Sequence, residues 1–416
     1  MTENNRRSAQ PGAPSPGFTE FVAVVALMMG VTAFSIDNLL PAFGPIRDHF
    51  AVQQPNDLQY IITAYMIGFA VMQIVYGTVS DVVGRKKALM AGLFIYAIGC
   101  AVAMLADSFT VLLIARGIQG MGSAAARVIS VAIVRDRFHG RDMARVMSFV
   151  MMVFLVIPIL APAMGGAMLL VGPWQIIFAA MLLLGIVLAV WFGLRMPETL
   201  AVENRVPFSF SGIGAGMWKT LTNRRTFGYT TAIGLMMGCL MGYIGSSQQI
   251  FDSDIYHLGH YFPLAFAGIA AVMSLASYIN AKLVRRIGMR RLSHFGLCGF
   301  TLMGLVQVGV ALAYHEAPPI LLYCTLLALN QALFALTVPN FNSIAMEPLG
   351  EIAGTASSFI GFYTTLLGAI LGMGVGQAFD GTVLPLGLGY FLLGAASILL
   401  VLWAEKWRLF STQAEK

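Results

Sequence analysis

Two ionisable residues, Asp37 and Arg116, interrupt stretches that are otherwise almost wholly apolar. A charge inside hydrocarbon is costly, and where one is kept it serves a pathway, a relay or a partner. Asp37 falls in the outer part of the first stretch, within Ser35-Ile36-Asp37-Asn38-Leu39-Leu40-Pro41-Ala42, and Arg116 lies at a comparable depth in the fourth. An Asp–Arg pair facing a shared cavity lowers the cost of both charges, and a proton arriving on Asp37 breaks it. Such a pair couples proton movement to a change of shape; a static structural ion pair satisfies the same spacing. Arg116, Ser123, Arg127 and Ser130 recur at helical intervals, so they share one face and imply a wet groove. Arg127 either attracts an anionic group there or snorkels to headgroups. Asn38, Gln119, Ser123 and Arg127 are the candidate lining of a substrate cavity.

A second constellation, Gly77-Thr78-Val79-Ser80-Asp81-Val82-Val83-Gly84-Arg85-Lys86-Lys87, follows the second apolar stretch. Its glycines let two helices turn and pack closely, while its acid and bases can exchange partners. A related segment, Ala281 to Arg291, follows the eighth stretch; aligning Gly84 with Gly288 matches the basic pair but puts Arg285 where Asp81 stands. Such a degenerate half-chain repeat is the trace expected of a transporter built from two related bundles. Gly368, Gly372 and Gly376 recur every four residues and read as a close packing face. Asp252, Asp254, His257 and His260 form a loop cluster in which a metal site is conceivable, although an exterior loop has ordinary reasons to hold them, and no metal site is assigned. Cys100, Cys239, Cys298 and Cys324 sit singly in apolar runs and read as reduced packing residues. No His-Glu-x-x-His, Gly-x-Ser-x-Gly or phosphate-binding Gly-x-x-x-x-Gly-Lys sequence occurs, which argues against an enzyme or an ATP-driven pump. No cofactor is implied.

The elements that must position these residues follow from composition. The 416 residues are 58% hydrophobic and 11% charged, against about a quarter charged in soluble domains, so the chain belongs in a bilayer. Stretches long enough to span, roughly 20 residues each, fall at about 19–43, 58–80, 87–106, 109–134, 145–170, 173–195, 227–250, 262–284, 292–314, 318–342, 353–378 and 384–405. Pro158, Pro162 and Pro339 are candidate kinks. With both termini cytoplasmic, every Lys and Arg except Arg47, Arg116 and Arg127 falls in a cytoplasmic segment, as positive-inside topology requires. The net charge of +6 is thereby topogenic and meets lipid headgroups rather than nucleic acid. The reading is an all-α integral membrane protein of twelve transmembrane helices in two six-helix bundles. A cytoplasmic tail (1–18) precedes the first bundle (19–195); a polar linker (196–226) leads to the second (227–405) and a short tail (406–416).

With these residues in view, Gly77-x-x-x-Asp81-x-x-Gly84-Arg85-Lys86 resembles the signature loop of the major facilitator superfamily. Further segments are similar to its drug:proton antiporters, in particular the bicyclomycin and chloramphenicol resistance (Bcr/CflA) group. They are the first-span segment around Asp37, Arg116-Gly117-Ile118-Gln119-Gly120-Met121-Gly122 in the fourth, and Pro158 to Pro162 with Gly165-Gly166 in the fifth. Pro197-Glu198-Thr199-Leu200 and Gly354-Thr355-Ala356-Ser357-Ser358 complete the set. Ala161 before Pro162, Gln175 after Trp174, and Arg127 depart from the group's pattern. The resemblance implies a proton-coupled antiporter of the cytoplasmic (inner) membrane that exports small, largely apolar compounds and works as a monomer; the alternative is an importer or symporter of a sugar, peptide or organic ion. It further implies that Gly77, Asp81, Gly84, Arg85, Lys86 and Asp136 form a conformational switch. There Asp81 caps the eleventh helix near Gly354 and Arg85 reaches Asp136, while Pro158, Pro162, Gly165 and Gly166 control leak and direction.

Overall fold

A computed structural model describes residues 16–205, 210–315 and 317–410. The tail before residue 16 and residues 411–416 lie outside the described residues. Among the described residues, fourteen α-helices run α1 (Phe18–Asp37), α2 (Phe43–Phe50), α3 (Tyr60–Val83), α4 (Arg85–Met104), α5 (Phe109–Arg137), α6 (Gly140–Leu169), α7 (Gln175–Arg195), α8 (Phe210–Thr222), α9 (Arg224–Gln248), α10 (Phe262–Ile287), α11 (Met289–Tyr314), α12 (Ile320–Met346), α13 (Ala353–Gln377) and α14 (Leu384–Ala404). With flanking turns, twelve of these segments are long and apolar enough to cross a membrane. Helices are the solution hydrocarbon demands, because each satisfies its own backbone hydrogen bonds.

Pairing between helices repeats in the two halves. In the first, α3 and α4 pack on α5, α1 on α6, and α4 on α7; in the second, α10 and α11 pack on α12, α9 on α13, and α11 on α14. The halves meet through two equivalent contacts, α3 against α13 and α6 against α10. The turn between α3 and α4 is made by Gly84 (φ 100°, ψ 154°) and that between α10 and α11 by Gly288 (φ 86°, ψ 151°). Only glycine enters that region without strain, so the repeat seen in the basic pair is also a repeat of backbone shape.

The first stretch is one candidate span, Phe18–Phe50, but not one helix: α1 stops at Asp37, a 3-10 turn covers Leu40–Ala42, and α2 follows. Pro41 has no N–H to give the Asp37 carbonyl, which breaks a run that hydropathy alone treats as continuous, whereas Pro45 sits in the first turn of α2. Within the expected linker, α8 occupies Phe210–Thr222 and places Gly216 against Thr355 of α13. Conversely, α6 runs through Pro158 and Pro162, and α12 through Pro339.

Candidate functional site

Asp37 is the last residue of α1 and is 5% exposed. Among the described residues its carboxylate has no hydrogen-bond or ion-pair partner, and it lies within electrostatic reach of Tyr243 on α9, in the other half. Arg116 is fully buried on α5. Its Nε donates to the Ile61 carbonyl at 3.3 Å, its Nη1 donates to Gln119 Oε1, and its guanidinium lies 4.5 Å from the centre of the Tyr65 ring. The expected Asp37–Arg116 pair is therefore absent from this conformation. A backbone carbonyl, an amide and an aromatic face hold the guanidinium within its own bundle, although its buried Nη2 has no hydrogen-bond partner among the described residues, and the carboxylate lies apart from it at the seam between halves.

The rest of the α5 stripe is bonded inside the first half. Tyr65 Oη donates to Ser123 Oγ at 2.7 Å, and Ser123 donates to the Gly120 carbonyl at 2.9 Å. Gln119 Nε2 approaches Cys100 Sγ at 3.1 Å and Met181 Sδ at 3.3 Å; Ser130 donates to the Arg127 carbonyl at 2.8 Å. Gln119 and Ser123 are fully buried and Arg127 is partly buried. Asn38 is buried against α6, its backbone oxygen so near Gly165 that a Cβ there would overlap it. Gly166 looks the other way, where its Cβ position lies 3.7 Å from Pro263 on α10. The Pro158-to-Gly166 segment of α6 thus lies between the end of α1 and α10, while the turn that follows α1 touches α9.

The glycines of the Arg116–Gly122 segment are packing residues. A Cβ on Gly120 would overlap the Tyr65 carbonyl, and one on Gly122 the Tyr96 backbone, so their absence lets α3 and α4 close on α5. Gly368 and Gly372 do the same for α13 against Met237 and Met241 of α9.

The signature loop forms a charged cluster at the basic end of the first half. Arg85 donates from Nε to Asp136 Oδ2 at 3.0 Å and from Nη1 to Ser80 Oγ at 2.7 Å and Asp81 Oδ1. Glu198 accepts from the backbone N–H groups of Arg85 (2.9 Å) and Lys86 (3.1 Å), a carboxylate at the positive end of α4. Lys86 Nζ returns to the Gly193 and Met196 carbonyls at 2.6 and 2.9 Å, where α7 ends. Arg85 thus reaches Asp136 as expected, but Asp81 does not cap α13: its carboxylate is held by Arg85, and α3 instead meets α13 where Gly77 abuts Ser358.

A matching cluster in the second half escaped the sequence reading. Arg290 donates to Glu347 at 2.8 Å and lies 3.4 Å from Glu405, which also accepts from Tyr229 Oη at 3.0 Å and faces Arg225 at 3.5 Å. Tyr229 Oη lies 2.7 Å from His294 Nε2. Glu347 and Glu405 close α12 and α14 as Asp136 and Glu198 close α5 and α7, so the half-chain repeat was the signal that could have found them. At the other end of the bundle, Asp252 accepts from Gln248 at 3.2 Å, with His257 and His260 in the loop that follows.

Two halves of six spans with repeated pairing and paired glycine turns describe a transporter, and the sequence profile described as Major Facilitator Superfamily matches residues 25–373. The chain belongs to the major facilitator superfamily. It is similar to the bicyclomycin resistance protein homolog of Haemophilus influenzae, 27% identical over 390 residues that cover 92% of this chain and 94% of that protein. It is also similar to the chloramphenicol resistance protein CraA of Acinetobacter baumannii, 25% identical over 351 residues covering 82% and 83%. Within the superfamily it therefore groups with the Bcr/CflA proteins. The fold matches that of the E. coli xylose transporter XylE in a partially occluded inward-open state, with a TM-score of 0.74 at 14% identity over 96% of this chain and 99% of that one. It is a multi-pass membrane transport protein and not an enzyme.

Proposed function

We propose that the chain is a proton-coupled antiporter that exports small, largely apolar compounds, amphenicol-like antibiotics among them, across the cytoplasmic membrane. In this reading the basic end of the bundle and both termini face the cytoplasm, and one chain suffices for transport. The observation that carries it is the isolation of Asp37. A buried carboxylate without a partner among the described residues, at the seam between the halves, can exchange a proton as the seam opens to either side. Arg116 acts from inside the first bundle, holding α3 to α5 and so fixing the wall behind Asp37. The resistance proteins named above are consistent with drug efflux. The loop from Gly77 to Lys86, with Asp136, serves as the conformational switch, and Pro158, Pro162, Gly165 and Gly166 serve as the seal between Asn38 and α10.

One proton moving down about 150 mV releases roughly 3.5 kcal/mol, enough for a gradient of about 300-fold in a neutral substrate at one-to-one exchange. Proteoliposomes with an imposed pH gradient test the reading. The wild type should accumulate chloramphenicol against its gradient, opposite to proton flow. Asp37→Asn, which nearly preserves shape, should lose that accumulation and retain downhill exchange. Undiminished uphill transport by Asp37→Asn would falsify the assignment, and co-directional movement of proton and substrate would favour a symporter.

A further inference from the structure

Among the described residues every ion pair joins groups of the same half. What crosses between halves at the end opposite the basic clusters is neutral. Asn56 and Gln59 lie in the 3-10 turn Pro55–Gln59 that leads into α3. Gln59 Nε2 donates to Gln249 Oε1 at 2.7 Å and to the Gly376 carbonyl at 3.1 Å. Gln249 Nε2 donates to Asn56 Oδ1 at 2.6 Å. Asn56 Nδ2 donates to the carbonyls of Gln377 (3.2 Å) and Phe379 (2.9 Å), and Gln377 Nε2 returns to the Asn56 carbonyl at 2.7 Å. All six bonds run between the first half and the second. Gln249 opens a π-helical turn, Gln249–Ser253, that extends α9. Gln59 and Gln249 are 3% and 2% exposed, and a Cβ on Gly376 would overlap Gln59, so this glycine is what admits the side chain. Directly beneath lies a cavity of about water size shared by both halves, roofed by Gln59 and lined by Thr63, Met66, Met241, Gly372 and Met373.

We propose that the Asn56–Gln59–Gln249–Gln377 amide cluster is the latch that closes the outer mouth of the transport pathway. "Outer" rests on the orientation under Proposed function; the latch itself does not. Each amide presents donors and an acceptor, so four side chains bind one another and backbone carbonyls without burying a charge. None of the four titrates. A latch of this kind closes equally well in an acidic or a neutral medium, which leaves proton sensitivity to Asp37 and keeps the gate from responding to the ion that drives the cycle. Six neutral bonds that form and break together also suit a gate that must open at every turnover, because no desolvated ion pair has to be parted.

The test uses the full chain with the four cysteines replaced by alanine and Thr63→Cys as reporter. A small impermeant methanethiosulfonate is added to intact spheroplasts and, separately, to inside-out vesicles. Asn56 and Gln249 do not line the cavity, so Asn56→Leu and Gln249→Leu remove latch bonds at similar volume without carving a direct path to residue 63. Asn56→Leu removes three of the six bonds and Gln249→Leu two, so each should raise the rate of labelling from outside by about tenfold or more. An unchanged rate in both variants overturns the latch. A rise seen only in inside-out vesicles keeps the latch and overturns the orientation instead. Should the leucine variants fail to fold, Asn56→Cys with Gln377→Cys provides a second measurement. Oxidation of that pair should slow transport at least tenfold and reduction should restore it, whereas full transport through the formed disulfide overturns the proposal.

Discussion

Arg85 Nε donates to Asp136 Oδ2 at 3.0 Å, tying the first turn of α4 to the last turn of α5. The same guanidinium holds Ser80 and Asp81 at the end of α3, so three helices converge on one planar fork. Lysine carries the charge but cannot reproduce that geometry. Arg85→Lys and Asp136→Asn should each slow substrate exchange by about tenfold, equivalent to ~1.4 kcal/mol, while substrate affinity changes much less. Exchange rates in proteoliposomes, paired with equilibrium binding, separate the two effects. Normal exchange in both variants would remove this cluster from the transport cycle.

Gly120 gives a stability prediction. An added Cβ would overlap the Tyr65 carbonyl oxygen and approach its carbon to 2.8 Å, contacts with backbone that no rotamer change relieves. Gly120→Ala should destabilise the protein by roughly 1–3 kcal/mol. Gly374→Ala is the control: nothing lies within 4 Å of its Cβ position, so the substitution should be near neutral. Thermal unfolding in one detergent compares them, and equal midpoints would refute the close α3–α5 contact.

What was legible in the sequence was what hydrocarbon enforces. Twelve apolar stretches became twelve spans because each is long enough to cross hydrocarbon as a helix that satisfies its own backbone. The break after Asp37 was hidden by Leu39 and Leu40, which keep the run apolar although Pro41 interrupts its hydrogen bonding. Arg116 was correctly singled out as a costly charge, but its partners are a carbonyl and a ring face, which no spacing rule announces. Asp81 was assigned to α13 through family resemblance, and here the nearer Arg85 takes it. Asn56, Gln59, Gln249 and Gln377 escaped notice because uncharged amides neither raise an alarm inside a span nor mark topology. Their significance appears only when turns distant in the chain are brought together.

Topology provides a third prediction. The basic clusters around Arg85 and Arg290 lie at the same end of their respective bundles, the arrangement that positive-inside insertion produces. A cysteine introduced by Gly140→Cys, in a background lacking the native four, should react with an impermeant thiol reagent in inside-out vesicles and stay unlabelled in intact spheroplasts. Asp380→Cys should behave oppositely. Labelling of position 140 from the outside would invert the orientation proposed for the transporter.

The separation of Asp37 from Arg116 can be measured directly. If the guanidinium serves only to hold α3 to α5, removing it should cost stability whether or not the carboxylate is present. In a double-mutant cycle, Asp37→Asn and Arg116→Ala should then be additive in thermal stability to within about 0.5 kcal/mol. The single Arg116→Ala should itself be strongly destabilising, by about 3 kcal/mol or more, because it leaves Gln119 Oε1 buried without its donor, deletes the second hydrogen bond to the Ile61 carbonyl, removes the charge from the Tyr65 face and empties a fully buried site. Tyr65→Leu should reproduce part of that loss, since it deletes the ring face and the hydrogen bond to Ser123 together. A coupling energy above ~1 kcal/mol between Asp37 and Arg116 would instead mean that the two charges meet in another state of the cycle. Arg116 would then act on the proton site itself and not only on the wall behind it.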